Sequence, residues 1–395
     1  MIIKNLFQYK PLFYINDNSS NKAFNHDNSD RIVKRNYGID LLRIISMIKI
    51  IIIHTNQFSR QIKLNISSPK FKHIWRSEIF SYSSVNCFGL ISGIVGYKKY
   101  KFSNLIYLWI LVFFYSVSIS SYFYFFNKNE INYKYFILSF FPILIKRHWY
   151  VNAYFLMYLL LPFINYGIAQ LPKNIYRNLV LFLLCFYLSH YTITRLIGIE
   201  NNTFLMNGFS SMWLLLLYII GGYIGKYITS YSKNKKYLCL YSLIYIFLSL
   251  FSSETYFLLL KSKRKIKNNF FISYVSPTMV FQALSLIMLF SNIKIENEYL
   301  MKIISFVTPL NFSAQLIHTR LFNSRIRIIK ILFKWLLSFN NKGLIVKIYG
   351  FAILIYIICI IIDYLRFVFF KFLKIRKFCL FIERKFPEIM DKIYK

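Results

Sequence analysis

The sequence predicts an all-α polytopic membrane protein with about ten transmembrane helices in one bundle. Of its 395 residues, 57% are hydrophobic and 20% are aromatic, and the mean hydropathy is +0.45. A soluble domain could not bury this much apolar surface, because single cores stop growing before this size and the remainder would be exposed to water. The apolar residues also fall into separate runs, each close to the ~20 residues that cross a bilayer as a helix.

These runs define the expected elements in chain order. We expect spans at 39–58, 79–97, 104–126, 149–168, 177–197, 211–229, 237–252, 272–290, 301–319 and 347–370. The shorter run 135–145 predicts an interfacial or re-entrant segment. The chain then divides into a polar N-terminal tail (1–37), a transmembrane domain (38–370) and a basic C-terminal tail (371–395).

The net charge of +36 raises the question of nucleic-acid binding. The lysines and arginines lie in short loops between the apolar runs, which is typical of basic membrane surfaces, so we expect the lipid bilayer and no nucleic acid as a partner. The segment 324–339 places apolar side chains opposite Arg and Lys, which favours a helix on the lipid surface; contact with an anionic glycan is the alternative.

The N-terminal 37 residues lack the charged region, apolar core and small-residue cleavage site of a signal peptide. We therefore expect the first span to act as an uncleaved insertion signal, with both termini in the cytoplasm. None of the five cysteines is in CxxC spacing. We therefore expect them to pack as small apolar side chains, and we expect neither a disulfide framework nor a metal site.

The first predicted span carries an arginine and a histidine, Arg43 and His54, eleven residues apart. Ionisable side chains inside a membrane span are costly and indicate a functional site. On a helix the two side chains lie within about 20° of each other and roughly 16 Å apart along the axis. Asp40 is close enough to pair with Arg43. The alternatives are an interfacial ion pair for Asp40 and Arg43 and a structural role for His54.

In the second span, Ser92 and Gly93 are small residues that would let a ligand or another helix approach the backbone closely. Gly89 and Gly93 are four residues apart, which is the small-xxx-small spacing of packed membrane helices. Helix packing explains this pattern as well as a binding site does.

Several segments together resemble the acyltransferase 3 family of integral-membrane acyltransferases. The resemblance rests on GIDLLRIISMIKIIIIHT (38–55), FGLISG (88–93), WYVNAYFLMYLLLPFIN (149–165), WLLLLYIIGGYIGKYI (213–228), YVSPTMVFQALSLIMLF (274–290), QLIH (315–318) and IIDYLR (361–366). Gln315 stands where this family often has an aromatic residue. YKKYKF (97–102) stands where an arginine pair is common.

The resemblance implies an O-acetyltransferase in the inner (plasma) membrane of a bacterial cell. Its donor would be acetyl-CoA, and its acceptor a hydroxyl of a surface polysaccharide or of a lipid-linked glycan precursor. His54 would act as general base or transient acyl carrier, since histidine exchanges a proton near neutral pH. Arg43, oriented by Asp40, would bind the donor's phosphates or pantetheine. Ser92 and Gly93 would offer backbone contacts to the thioester.

A transporter or flippase of lipid-linked sugars is the alternative function, because basic spans with buried polar residues would also serve translocation. Against it, the two halves of the chain show no internal repeat. Transfer of label from acetyl-CoA to a glycan or lipid fraction would distinguish the two classes.

Overall fold

The computed structural model describes residues 35–58, 68–97, 100–126, 132–143, 149–198, 205–228, 235–262, 270–323 and 343–393. These residues form helices joined by turns, and no strand occurs among them. The all-α fold class is therefore confirmed. The segments 324–339 and 1–34 lie outside the described residues.

The helices are numbered here in chain order. They are α1 (Tyr37–Phe58), α2 (Pro69–Tyr82), α3 (Ser84–Gly96), α4 (Phe102–Phe126), α5 (Tyr133–Leu138), α6 (Trp149–Gln170), α7 (Lys173–Ile197), α8 (Ser211–Tyr227), α9 (Lys235–Lys261), α10 (Pro277–Ser291), α11 (Glu298–Val307), α12 (Asn311–Asn323), α13 (Leu344–Phe372) and α14 (Ile375–Ile393).

Seven helical segments among the described residues are long and apolar enough to cross a membrane. They are Lys70–Gly96, Phe102–Phe126, Trp149–Gln170, Lys173–Ile197, Lys236–Lys261, Glu298–Thr319 and Leu344–Phe372. A polytopic membrane protein is thus supported, but the expected count of about ten is not. Helix α1 is not among the seven and carries three charged residues, while α8 and α10 are only 17 and 15 residues long.

Some predicted spans differ from the observed helices at their boundaries. The run 301–319 is divided into α11 and α12 by a single 3₁₀ turn at Thr308–Leu310. Pro309 in this turn has no backbone N–H to continue an α-helix. The predicted segment 135–145 contains only the six-residue helix α5.

Helix α1 lies at the centre of the packing. It packs against α2, α3, α10, α11, α12 and α13. Leu42, Ile51 and Ile52 on α1 are fully buried. This enclosure places the charged residues of α1 among protein groups rather than lipid tails, which is the environment that intramembrane charges require.

Helices α3 and α8 approach each other through glycines. A Cβ atom added at Gly93 would lie 2.0 Å from the carbonyl oxygen of Tyr218, and one added at Gly221 would lie 2.0 Å from the carbonyl oxygen of Leu90. No side chain fits at either position, so the two backbones are in direct contact. This is the close packing that small residues permit between membrane helices.

The predicted C-terminal tail contains the helix α14, which packs on α4. The backbone N–H of Ser103 donates to Oε1 of Glu383 at 3.2 Å, and the rings of Phe102 and Phe386 lie 5.0 Å apart. Cys379 is fully buried, and burial raises the pKa of its thiol to about 11. Part of the tail is therefore ordered against the helical domain.

Candidate active site

His54 lies beside a second histidine that comes from a distant part of the chain. Its Nδ1 atom is 2.8 Å from Nε2 of His318 on α12. His318 is fully buried, while His54 is partly exposed. The helical packing of α12 on α1 brings the two rings together. His318 belongs to the QLIH segment, for which the sequence alone assigned no role.

The hydrogen bonds of this pair determine which ring nitrogens carry protons. Nδ1 of His318 is 2.5 Å from the carbonyl oxygen of Ala314, which can only accept. Nδ1 of His318 must therefore donate, and Nε2 of the neutral ring is an acceptor. It follows that His54 donates from Nδ1 to His318. Nε2 of a neutral His54 then keeps its lone pair and can accept a proton or attack a carbonyl carbon.

A cavity opens beside His54. Its volume accessible to water-sized spheres is ≈ 40 Å³. Its lining includes Met47 and Ile50 of α1, which lie seven and four residues before His54 on the same helix face. Trp149, Tyr150, Tyr274 and Gln315 also line it. A small group in this cavity would therefore lie among the imidazole and several polar or aromatic side chains.

Arg43 lies nearer the start of α1 and forms part of an ion-pair cluster. Its Nη1 is 3.3 Å from Oδ1 of Asp40, and Nε of Arg35 is 2.6 Å from Oδ2 of the same carboxylate. Asp40 is buried. The two guanidinium groups and the one carboxylate carry a formal charge of +1 between them, and a planar guanidinium suits an anionic ligand.

Two tyrosines of α6 connect the Arg43 region with the His54 cavity. Tyr150 lines the cavity and interacts electrostatically with Arg43. Tyr154 also interacts with Arg43, and its hydroxyl interacts with the hydroxyl of Ser92. Because α1 is continuous between Arg43 and His54, their separation along the axis is roughly 16 Å.

The structure places Ser92 and Gly93 in different surroundings. Ser92 is partly exposed, donates to the carbonyl oxygen of Phe88 at 2.8 Å and contacts Tyr154. Gly93 faces the backbone of α8 at Tyr218 and Gly222. Helix packing, the alternative left open by the sequence, therefore accounts for Gly93. The space on the Cβ side of Gly93 is filled by α8, and a contact of the donor with Gly93 stays a prediction.

The two polar residues directly after His54 are enclosed by protein. Thr55 and Asn56 are fully buried. Nδ2 of Asn56 donates to Oε2 of Glu78 at 3.0 Å, and Nε2 of Gln57 donates to Oε1 of the same carboxyl group at 3.2 Å. The buried carboxyl group of Glu78 thus links the end of α1 to α2 by two hydrogen bonds. No sequence pattern indicated a role for Glu78.

A buried ion pair on α13 forms a hydrogen-bond network that does not include His54. Arg366 donates to both carboxylate oxygens of Asp363 at 2.9 and 2.6 Å, and to the hydroxyl of Tyr107 at 2.7 Å. The hydroxyl of Tyr115 donates to Asp363 at 2.6 Å. This network joins α13 to α4 and explains the charges of the IIDYLR segment by helix packing.

Comparison with known protein families matches residues 36–364 to an acyltransferase domain model, that of the acyltransferase 3 family. The match runs from the beginning of α1 into α13 and covers well over half of the chain. No curated protein and no solved structure matches the chain. The chain belongs to the acyltransferase 3 family.

Proposed function

We propose that the protein is an integral-membrane O-acetyltransferase that moves an acetyl group from acetyl-CoA to a hydroxyl of a surface polysaccharide or of its lipid-linked precursor. An acyltransferase in the membrane follows from the family and the helical fold. The observation that carries the finer proposal is the hydrogen-bonded pair of His54 and His318 at a small cavity, with the cationic cluster of Arg43 on the same helix.

In this proposal His54 serves as the general base. Nε2 of His54 takes the proton of the acceptor hydroxyl while the hydroxyl oxygen attacks the thioester carbonyl carbon. The tetrahedral intermediate collapses with cleavage of the C–S bond, and the proton passes to the departing thiolate to give free CoA. In the variant of this mechanism with an acyl carrier, Nε2 attacks the thioester first and the C–S bond breaks to release CoA thiolate. The acceptor hydroxyl then attacks the acetyl group, the bond to Nε2 breaks, and the proton of the hydroxyl passes to the thiolate.

Arg43 and Asp40 are assigned to the donor. The excess positive charge of the Arg35–Asp40–Arg43 cluster suits the phosphates of CoA. A pantetheine arm is extended and can bridge the roughly 16 Å to His54. Ser92, beside Tyr154, is assigned to the place where the thioester region of the donor approaches the backbone of α3 closely.

The orientation completes the proposal. Acetyl-CoA is supplied from the cytoplasm, so we propose that both termini and the Arg43 end of α1 face the cytoplasm of a bacterial cell. The acceptor would then reach His54 from the opposite side of the inner membrane.

The test uses membranes from cells that express the full chain. Incubation with acetyl-CoA labelled in the acetyl group should move label into a glycan or lipid fraction, and mild alkali should release it because the product is an ester. Membranes with His54→Ala at equal protein abundance should give no label above background. Equal labelling by both membranes, or none by the wild type, would contradict the proposal.

A further inference from the structure

Gln315 lines the His54 cavity but has no place in the reaction described so far. It lies on α12, three residues before His318, so the two side chains project from neighbouring parts of the same helix face. Its amide oxygen Oε1 is buried and has no hydrogen-bond partner in the part of the chain that the structure describes. Buried polar atoms are nearly always hydrogen-bonded, so this oxygen needs a hydrogen-bond donor. Because Gln315 lines the cavity, a ligand in the cavity can supply that donor.

The chemistry of Oε1 restricts what this partner can be. An amide oxygen accepts hydrogen bonds and cannot donate them. The acetyl thioester offers no O–H or N–H group at its reacting end, whereas a glycan acceptor offers several hydroxyls and, in amino sugars, amide N–H groups. The natural partner of Gln315 is therefore the acceptor substrate and not the acyl donor.

The reacting hydroxyl itself cannot satisfy both residues. It has one proton, which His54 removes, so a hydrogen bond from the same proton to Gln315 would compete with the reaction. The cavity volume of ≈ 40 Å³ corresponds to about three water-sized positions. That space admits the reacting hydroxyl with a neighbouring donor group, but not a whole sugar ring.

We propose that Gln315 is an acceptor-binding residue, whose amide oxygen accepts a hydrogen bond from a hydroxyl or amide N–H next to the hydroxyl that is acetylated. This assignment deepens the proposed function and rests on it. It implies that the acceptor carries two adjacent hydrogen-bonding groups, as a vicinal diol or an N-acylamino alcohol does, and that Gln315 selects which hydroxyl reaches His54.

The test compares Gln315→Met with Gln315→Glu in the full chain. Methionine keeps the length of glutamine but cannot make the hydrogen bond, while glutamate keeps an accepting oxygen. The acceptor probe is the glycan and lipid extract of the native host cells carrying His54→Ala, because its target hydroxyls remain unacetylated. Gln170→Met, at the exposed end of α6, is the matched control.

We expect the KM of Gln315→Met for the extract to rise about fivefold, which corresponds to about 1 kcal/mol for one hydrogen bond. Its kcat should stay within about twofold of the wild type, since lost ground-state binding raises KM alone. Gln315→Glu and Gln170→Met should keep the wild-type KM. Affinity for a non-hydrolysable thioether analogue of acetyl-CoA should be the same in all four proteins.

The possible failures can be told apart. If the wild type acetylates no hydroxyl in the extract, the proposed function itself fails. If the wild type is active and Gln315→Met retains its KM, only the role of Gln315 is refuted. A KM for Gln315→Glu as high as that of Gln315→Met would also refute it, since the amide N–H₂ would then be the binding group. Weakened binding of the thioether analogue by Gln315→Met would place the residue at the donor instead.

Discussion

Nδ1 of His54 and Nε2 of His318 lie 2.8 Å apart although 264 positions separate the residues in the chain. The carbonyl oxygen of Ala314 fixes the tautomer of His318, and His318 in turn fixes that of His54. His318 therefore has the role that a carboxylate has beside the catalytic histidine of a Ser-His-Asp triad. It orients the ring of His54 and keeps the proton of that ring on Nδ1.

The first prediction concerns this pair. His54→Ala should lower the rate of acetyl transfer about 10²–10⁴-fold, the usual contribution of a general base. His318→Ala should lower it less, because His54 would keep its reactive nitrogen but lose the group that orients it. Initial rates of label transfer, normalised to protein abundance, measure both effects. His190→Ala on α7, which lies away from the cavity, is the control and should retain the wild-type rate.

The second prediction concerns donor binding at Arg43. Arg43→Ala should raise the KM for acetyl-CoA about 10–100-fold, since a hydrogen bond to a charged group contributes about 1.5–3 kcal/mol. Arg43→Lys keeps the positive charge but lacks the planar guanidinium with its paired N–H donors, so it should raise the KM by an intermediate factor. Arg177→Ala, which removes an exposed arginine of α7, should leave the KM unchanged. Unchanged kinetics in Arg43→Ala would remove this residue from the donor site.

The third prediction separates helix packing from ligand binding at Gly93. Gly93→Ala places a methyl group within 2.0 Å of the carbonyl oxygen of Tyr218 and should destabilise the protein by about 1–3 kcal/mol. Gly167→Ala on α6 meets no atom within 4 Å and should be neutral or slightly stabilising. Thermal unfolding of the two purified variants in detergent tests the contrast. Equal melting temperatures would contradict the close contact of α3 and α8.

The fourth prediction concerns the ion pair of α13. Arg366→Met alone leaves the buried carboxylate of Asp363 without its cation and should destabilise the protein by about 3–5 kcal/mol. Asp363→Leu combined with Arg366→Met removes both charges and should recover most of that loss. Denaturant unfolding in detergent measures both variants. A double variant no more stable than the single one would indicate that the hydrogen bonds to Tyr107 and Tyr115, and not the charge pair, hold α13 to α4.

Much of the fold could be predicted from local sequence patterns. The apolar runs at 39–58, 104–126 and 347–370 correspond closely to the helices α1, α4 and α13, because a long continuous apolar run favours a single long helix. The run 301–319 lies within one candidate span, Glu298–Thr319, and the proline at 309 indicates by its residue type the kink or end that the structure has there. A single proline hardly changes the mean hydropathy of a run, but its missing N–H interrupts the hydrogen bonds of the α-helix.

The candidate site could be predicted only in part from the sequence. Asp40 and Arg43 are three residues apart on one helix, so their contact follows from helical geometry. The hydrogen bond from Asn56 to Glu78 joins two different helices, and no local sequence pattern indicates it. Gly93 fitted two interpretations equally, and only the position of α8 decided for packing.

The sequence by itself determined a helical membrane protein and its resemblance to the acyltransferase 3 family, since apolar length, helical spacing and motif order are local or one-dimensional properties. The tertiary structure alone decided that His318 contacts His54, that Gln315 lines the same cavity and that Gly93 packs against the backbone of α8. These contacts depend on how α12 and α8 pack around α1 and α3. Packing between helices is set by the shapes of facing side chains, which the period of a single helix does not reveal.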